Sequence, residues 1–129
     1  MKTDDYFSIT KAVKARIPKL PFRDMKVLIL GKKYSLSLVF GSGRLLKKLN
    51  RIYRRQNRVT DILSFSLSPK EGEIFINPKQ AGKESRWFGE TKTNFISHLF
   101  IHGLLHLKGH RHGSKMESLE LKYRKRFPV

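Results

Sequence analysis

The chain has 129 residues, with 28 lysine and arginine residues against 10 aspartate and glutamate residues, which gives a formal net charge of +18. It contains no cysteine, so disulfides and thiolate metal sites are excluded, and a bound metal would need imidazole or carboxylate ligands. The length predicts a single domain, residues 1–129, that is large enough to bury a core. So strong a positive charge favours contact with nucleic acid.

The N-terminal segment and the apolar runs give no sign of export or membrane insertion. The N-terminal segment MKTDDYFS contains two aspartates and no apolar run, so it does not predict a signal peptide. The most apolar stretch, residues 95–107, is too short to span a bilayer and contains three histidines. We therefore expect a cytoplasmic protein without a membrane partner.

The first half of the chain predicts alternating strands and helices. Residues 6–13 are compatible with a strand or a short helix. Residues 21–31 favour a short helix with Pro21 at its first position and Gly31 as its C-cap, with half of a hairpin as the alternative. Residues 34–40 alternate cleanly and predict a strand. An amphipathic helix then begins at Ser42 or Gly43 and runs to about Arg55; its polar face carries Lys47, Lys48, Arg51, Arg54 and Arg55.

The second half predicts two strands followed by two helices. The segments DILSFSL, 61–67, and GEIFINP, 72–78, are typical of strands joined by a turn. Residues 91–108 predict a long helix that Gly109 ends. Another helix begins near Ser114, read as an N-cap with Glu117 completing a capping box. The fold class is therefore α+β: one compact domain with a mixed sheet of about four strands packed with helices.

The five histidines of the chain all lie between residues 98 and 112. His102 and His106 are four residues apart, so on a helix they share a face, with Cβ atoms about 5–6 Å apart. Two imidazoles at that spacing can reach one ion at about 2.0–2.1 Å. Gly109 allows the chain to reverse, which lets His112 supply a third ligand. Three histidines at the end of a long helix leave one coordination position open, which is typical of a catalytic metal site.

The pattern HxxxHxxGxxH matches a zinc-protease motif except at one position. Gly103 stands where those proteases carry the glutamate that acts as general base, so peptidase activity is disfavoured. A glycine inside a helix also costs about 1 kcal/mol relative to alanine, so a neighbouring feature should favour it. Phosphodiester cleavage suits a metal site with a nearby arginine. We expect His98 to lie on the helix face or to contact one of the metal ligands, and His110 to be a loop residue or a substrate contact.

Three blocks of the sequence, LNRIYRRQNRVTDILSFSL, GEIFIN and HGLLHLKGHRH, resemble the YbeY family of bacterial rRNA maturation endoribonucleases. The resemblance covers about residues 35–122. It implies a metal-dependent endoribonuclease that prefers single strands, matures the 3′ end of small-subunit (16S) rRNA and takes part in ribosome quality control. It also implies RNA of the small ribosomal subunit as partner, with ribosomal proteins possible.

The same resemblance assigns the site residues. It implies that one zinc ion, or another divalent transition metal, is held by His102, His106 and His112. The family's functional arginine lies in an Asn-x-x-Tyr-Arg segment, which here makes Arg54 the catalytic candidate, in contact with phosphate. On the residues alone, Arg54 is one of several basic side chains on a solvated helix face.

The chain departs from the family pattern in several places, among them positions 111 and 66. Arg111 stands where the family has an acid between the last two site positions, which should weaken cation binding and strengthen a phosphate site. Ser66 replaces a proline after LSF. In the TDILSF block we expect Thr60, Asp61 and Ser64 to shape the cleft, with Leu63 and Phe65 packing into the core. The alternative is purely structural, because turn-forming polar residues are also common where a strand begins.

Two alternative functions stay open at this point. The first is a non-catalytic basic factor that binds RNA or the ribosome through its charge, with a structural metal whose shell Glu117 or Glu120 completes. The second is a metallohydrolase acting on peptides, with its general base supplied by Glu90, Glu117 or Glu120.

Overall fold

A four-stranded mixed sheet is the frame that positions the other elements. It consists of β1 (Phe7–Lys11), β2 (Ser35–Phe40), β3 (Ile62–Ser68) and β4 (Glu71–Ile76), in the order β1-β2-β4-β3. Neighbouring strands pair in parallel except β3 and β4, which form an antiparallel hairpin. The computed structural model describes residues 6–56 and 58–129. Residues 1–5, most of the segment examined for a signal peptide, and Asn57, within the resemblance block, lie outside that part.

The described residues also form five helices. These are α1 (Phe22–Leu30), α2 (Gly43–Arg54), α3 (Pro78–Trp87), α4 (Lys92–Lys108) and α5 (Ser114–Arg126). The predicted α+β class and the mixed sheet of about four strands are confirmed. None of the helices in residues 6–56 and 58–129 is long and apolar enough to cross a membrane.

The core lies between the sheet and helices α1 and α4. Helix α4 contacts α1, α3, α5 and two strands, which explains why apolar residues surround much of its circumference. Phe22 of α1 meets Phe100 of α4 edge to face, with ring centroids 5.1 Å apart. The sheet contributes fully buried side chains from its two central strands, including Leu38 and Ile74. The long central helix is therefore fixed on several sides, which makes its C-terminal end a rigid support.

The helices and strands predicted for the first half of the chain are present, with small differences in where they begin and end. Segment 6–13 contains strand β1, and residues 34–40 contain β2. The helix interpretation of residues 21–31 is confirmed, although Pro21 precedes the helix as its N-cap. The amphipathic helix begins at Gly43, with the Ser42 hydroxyl accepting a hydrogen bond from the Leu45 amide at 3.1 Å.

One helix was missed, and one predicted helix cap is wrong. No helix was predicted between the second hairpin strand and residue 91, yet α3 occupies residues 78–87. Its start is marked by Asn77, whose side chain accepts from the Gln80 amide at 3.2 Å, and by Pro78 in the first turn. Its apolar stripe is weak, because Ala81 is the buried aliphatic side chain among polar neighbours. The capping box at Ser114 is also absent, since Gly113 is the N-cap and no side chain caps α5.

Candidate metal centre

The three predicted histidines come together where α4 ends and the chain turns back. Gly109 has a left-handed backbone, φ 107°, and its amide donates to the carbonyl of His106 at 3.0 Å. The reversal brings His112 back to the helix, with ring centroids 5.1 Å from His102 and 5.0 Å from His106. One nitrogen of each ring lies within 4.8 Å of the others. The predicted three-histidine group is therefore assembled in space.

The geometry of this group fits a transition-metal ion. The Nε2 atoms of His102 and His106 are 2.9 Å apart. A tetrahedral ion with bonds of about 2.0–2.1 Å would hold its ligand atoms about 3.3–3.4 Å apart, so a small adjustment suffices. Imidazole nitrogen is a ligand that suits zinc, copper, iron and nickel.

Glu120 of α5 fixes the orientation of one of these rings. Its carboxylate accepts a hydrogen bond from Nδ1 of His102, on the ring edge away from His106. With the proton held on Nδ1, the Nε2 lone pair is free to face the centre of the group. Sequence reasoning considered Glu120 only as a fourth ligand or a base. The contact to Nδ1 joins residues on different helices, so residue spacing gave no signal for it.

The surroundings of His106 favour its neutral imidazole form. Partial burial lowers the pKa of His106, and nearby His102 and His112 lower it further. Arg54 acts on this pKa in the same direction, while the backbone of His110 opposes it through a hydrogen bond. Neutral imidazole is the form that binds metal, so the surroundings of His106 prepare it as a ligand near neutral pH.

Gly103 is explained by a close approach of α4 to the sheet. A Cβ atom added at Gly103 would lie 3.0 Å from Oγ of Ser64 and 3.1 Å from the Cδ1 atoms of Ile62 and Ile74. The position therefore faces strands β3 and β4 and has no room for a longer side chain. A glutamate base at this point of the motif would require these three side chains to move.

A cleft of about 490 Å³ opens beside the three histidines. Arg54 reaches it from the end of α2, where its Nη2 atom donates to the Ser64 carbonyl at 2.5 Å. Its guanidinium group also lies 5.4 Å from the centre of the Phe65 ring. These two contacts aim the side chain into the same space as the imidazoles; the cleft is lined by Arg54, Ile62, Leu63, Ser64, Ser66, His102, His106, Leu107 and His112.

The residues of the TDILSF block have different surroundings. Ser64 lines the cleft, whereas the Thr60 hydroxyl donates to the Ile62 carbonyl at 3.2 Å. Leu63 is buried, but Phe65 is only half-buried, in edge contact with Tyr53 of α2 at 5.5 Å. The core placement predicted for Phe65 is therefore wrong, because its face of β3 is covered by the end of α2.

Asp61 forms a carboxyl pair with Glu84 of α3 just before β3 begins. Burial raises the pKa of Asp61 to about 7, and the hydrogen bond and negative charge of Glu84 raise it as well. Gln80 donates to the other partner, with its Nε2 atom 2.9 Å from Oε2 of Glu84. The pair ties the start of β3 to α3, a helix that the sequence did not predict.

The other candidate residues lie outside the metal group. His98 pairs with Glu90 at 3.1 Å, and the same carboxylate oxygen accepts from the Asn94 side chain at 3.0 Å. Glu90 is thus engaged away from the cleft, whereas a general base would have to face the cleft. His110 is half-buried in the turn, and Glu117 and Arg111 are exposed; in residues 6–56 and 58–129 the metal group consists of His102, His106 and His112.

Comparison with known proteins gives the family. The sequence pattern described as Endoribonuclease YbeY matches residues 3–127. The chain belongs to the YbeY family. A YbeY endoribonuclease of Thermodesulfovibrio yellowstonii is 36% identical over 100 residues, which cover 67% of this chain and 63% of the relative. One from Solibacter usitatus is 42% identical over 83 residues, covering 61% of this chain and 56% of the relative.

The chain therefore spans about three fifths of the length of these two YbeY relatives. A similar fold occurs in the solution structure of TM1509 from Thermotoga maritima, with a TM-score of 0.63 and 25% sequence identity. That likeness covers 91% of this chain and 85% of the Thermotoga protein.

Proposed function

We propose that this protein is a metal-dependent endoribonuclease that cleaves single-stranded RNA, with the 3′ end of small-subunit rRNA as its substrate. The observation that carries the proposal is that three imidazoles and Arg54 line one cleft. Family membership supports the reaction class, since the relatives are named endoribonucleases. The glycine at position 103 argues against a peptidase, because it leaves the motif without its general base.

The groups around the cleft suit a phosphodiester substrate. When bound, a zinc ion or another divalent transition metal supplies Lewis acidity next to the scissile phosphate. Arg54 offers a guanidinium fork that can bind two phosphate oxygens and offset the charge that develops during cleavage. The Ser64 carbonyl and the Phe65 ring hold that fork in place before the substrate arrives.

The first test is the metal content of the purified, tag-free protein and of a His106→Ala variant. We expect about one equivalent of a divalent transition metal in the parent protein and its loss in the variant. His98→Ala is the matched control, because His98 lies on the same helix outside the metal group. Retention of the metal in His106→Ala would contradict the proposed site.

The second test is cleavage of single-stranded RNA that carries the 3′ end of small-subunit rRNA. We expect cleavage that a chelator abolishes and that is lost in His106→Ala, while His98→Ala cleaves normally. Arg54→Ala should bind metal normally and lose cleavage. A metal-loaded parent protein that cleaves no RNA would support the non-catalytic RNA-binding alternative instead.

A further inference from the structure

Helix α2 carries a row of cations that the cleft does not use. We call Arg44, Lys47, Lys48 and Arg51 the α2 ridge. All four side chains are exposed, and α2 contains no acidic residue. A groove of about 360 Å³ lies between these four side chains. The ridge is therefore a surface feature separate from the histidine cleft.

The spacing of the ridge puts all its charges on one side of the helix. Each residue of an α-helix is rotated by about 100° from the one before it, and this spacing places the four cations within an arc of about 100° around the helix axis. The opposite side of α2 is anchored in the protein, with Leu46 fully buried and the Asn50 side chain donating to the Arg58 carbonyl at 3.3 Å. The cationic face consequently points away from the side of α2 that packs against the protein.

These cations lack the acidic neighbours found elsewhere in the protein. Within the part of the chain that the structure describes, none of the four forms an ion pair with a carboxylate. On α5, by contrast, Glu117 and Glu120 stand among the basic residues. Like charges three or four residues apart on a helix repel each other, so the ridge costs stability unless an anion occupies it.

The ridge leads directly to the cleft. Arg54 lies three residues after Arg51, so the row of cations continues along the helix into the cleft lining, about 15 Å from Arg44. Tyr53, beside Arg54, is 66% exposed, and its ring rests against Phe65. The guanidinium group of Arg54 lies over the same Phe65 ring, so the aromatic ring of Tyr53 is next to the cation at the end of the row and not among the ridge side chains. Cations beside an exposed, supported aromatic ring are the combination that binds single-stranded nucleic acid by phosphate contacts and base stacking.

We propose that the α2 ridge binds backbone phosphates of single-stranded RNA on one side of the scissile bond, with Tyr53 stacking a base at the entrance to the cleft. The inference rests on the proposed endoribonuclease function. RNA fits better than an anionic protein surface or a membrane, because the row is narrow and continues through Arg54 into the cleft, where the exposed ring of Tyr53 lies beside it. The ridge would thus guide the strand toward Arg54.

The decisive test compares two double variants that remove the same charge. Lys47→Gln/Lys48→Gln removes two lysines from the ridge, and Lys79→Gln/Lys83→Gln removes two exposed lysines from α3. Binding of a long single-stranded RNA is measured in chelator, where no cleavage occurs. We expect the ridge variant to bind at least fivefold more weakly, with the slope of log affinity against log salt reduced by about 1.4, or 0.7 for each phosphate contact.

The α3 variant should bind RNA within about twofold of the parent protein, because its lysines lie off the proposed track. Equally weakened RNA binding in both variants would contradict the proposed role of the ridge, since it would mean that only the overall charge matters. Unchanged affinity in the ridge variant would overturn it as well. Tyr53→Ala should also weaken binding, whereas Tyr53→Phe should retain it.

A cleavage assay separates this inference from the proposed function. The ridge variant should cleave a trinucleotide as fast as the parent protein does, and a long RNA more slowly at low substrate concentration. If the metal-loaded parent cleaves no RNA while the binding difference persists, the RNA-binding role of the ridge is supported and the endoribonuclease proposal is contradicted. If cleavage is normal and the binding difference is absent, the ridge alone is overturned.

Discussion

The carboxylate of Glu120 accepts a hydrogen bond from Nδ1 of His102, while Nε2 of the same ring faces His106. The two residues lie on α5 and α4, so the contact joins the two helices that flank the histidine turn. A carboxylate in this position holds a metal-binding imidazole in one tautomer and makes it a stronger ligand. This chain has Arg111 where the resemblance gives the family an acid; Glu120 supplies a negative charge beside the site from another element.

Glu120→Ala should weaken metal binding by about 10- to 100-fold, because His102 loses the partner that orients it. Competition with a chromogenic chelator measures the change directly. Glu120→Gln retains a side-chain oxygen that can accept from Nδ1, so its affinity should lie between those of the parent and the alanine variant. Glu117→Ala, an exposed position one turn earlier, is the control and should bind metal normally. Equal affinities in all four proteins would show that Glu120 does not position His102.

Arg54→Lys should reduce RNA cleavage by roughly 10²-fold and leave the metal content unchanged. Lysine keeps the positive charge, but one ammonium group cannot contact the Ser64 carbonyl and present a planar fork to phosphate at the same time. Single-turnover cleavage and metal analysis of the same preparation check both parts. Full activity in Arg54→Lys would mean that charge alone is needed at this position.

Gly103→Ala should lower the free energy of unfolding by about 1 kcal/mol, because the added methyl group presses on three side chains of the sheet. Gly82→Ala is the control: its new Cβ would lie 3.6 Å from Lys92 Cδ, an ordinary contact, so this helix should gain up to about 1 kcal/mol. Denaturant unfolding of both variants measures the difference. A Gly103→Ala protein as stable as Gly82→Ala would contradict the tight packing.

Local sequence patterns predicted the parts of the site that depend on local geometry. The spacing of His102 and His106 and the reversal at Gly109 are properties of one helix and its end, so the three-histidine group could be read from eleven consecutive residues. The basic face of α2 was likewise visible in its helical spacing. These features can be predicted without knowing how the rest of the chain folds.

The contacts that complete the site join distant segments and were not predictable from spacing. Gly103 is required because α4 approaches Ser64, about forty residues earlier in the chain. The role of Glu120 depends on how α5 packs against α4. Helix α3 was missed because its apolar stripe is weak, although the Asn77 cap and Pro78 marked its start. With that helix missing, the pairing of Asp61 and Glu84 could not be foreseen.

That carboxyl pair predicts a pH dependence of stability. The ordinary pKa of an aspartate, 3.8, applies to the unfolded chain, and the folded protein raises it to about 7. Between these values the folded state holds a proton that the unfolded state has lost, so stability contributed by this group is fully present below about pH 3.8 and is lost as the pH rises through 7.

Asp61→Asn should therefore make the protein more stable at pH 8 and leave its stability almost unchanged at pH 4, because asparagine imitates the protonated carboxyl. The gain at pH 8 should be on the order of 1–2 kcal/mol, since the pair is half-buried and water screens part of the repulsion. Glu84→Gln should give a gain of the same sign by removing the other charge. Urea unfolding of the three proteins at pH 4, 6 and 8 measures the effect. If Asp61→Asn is less stable than the parent at pH 8, the pair does not share a proton, and the carboxylate of Asp61 stabilises the fold in its charged form.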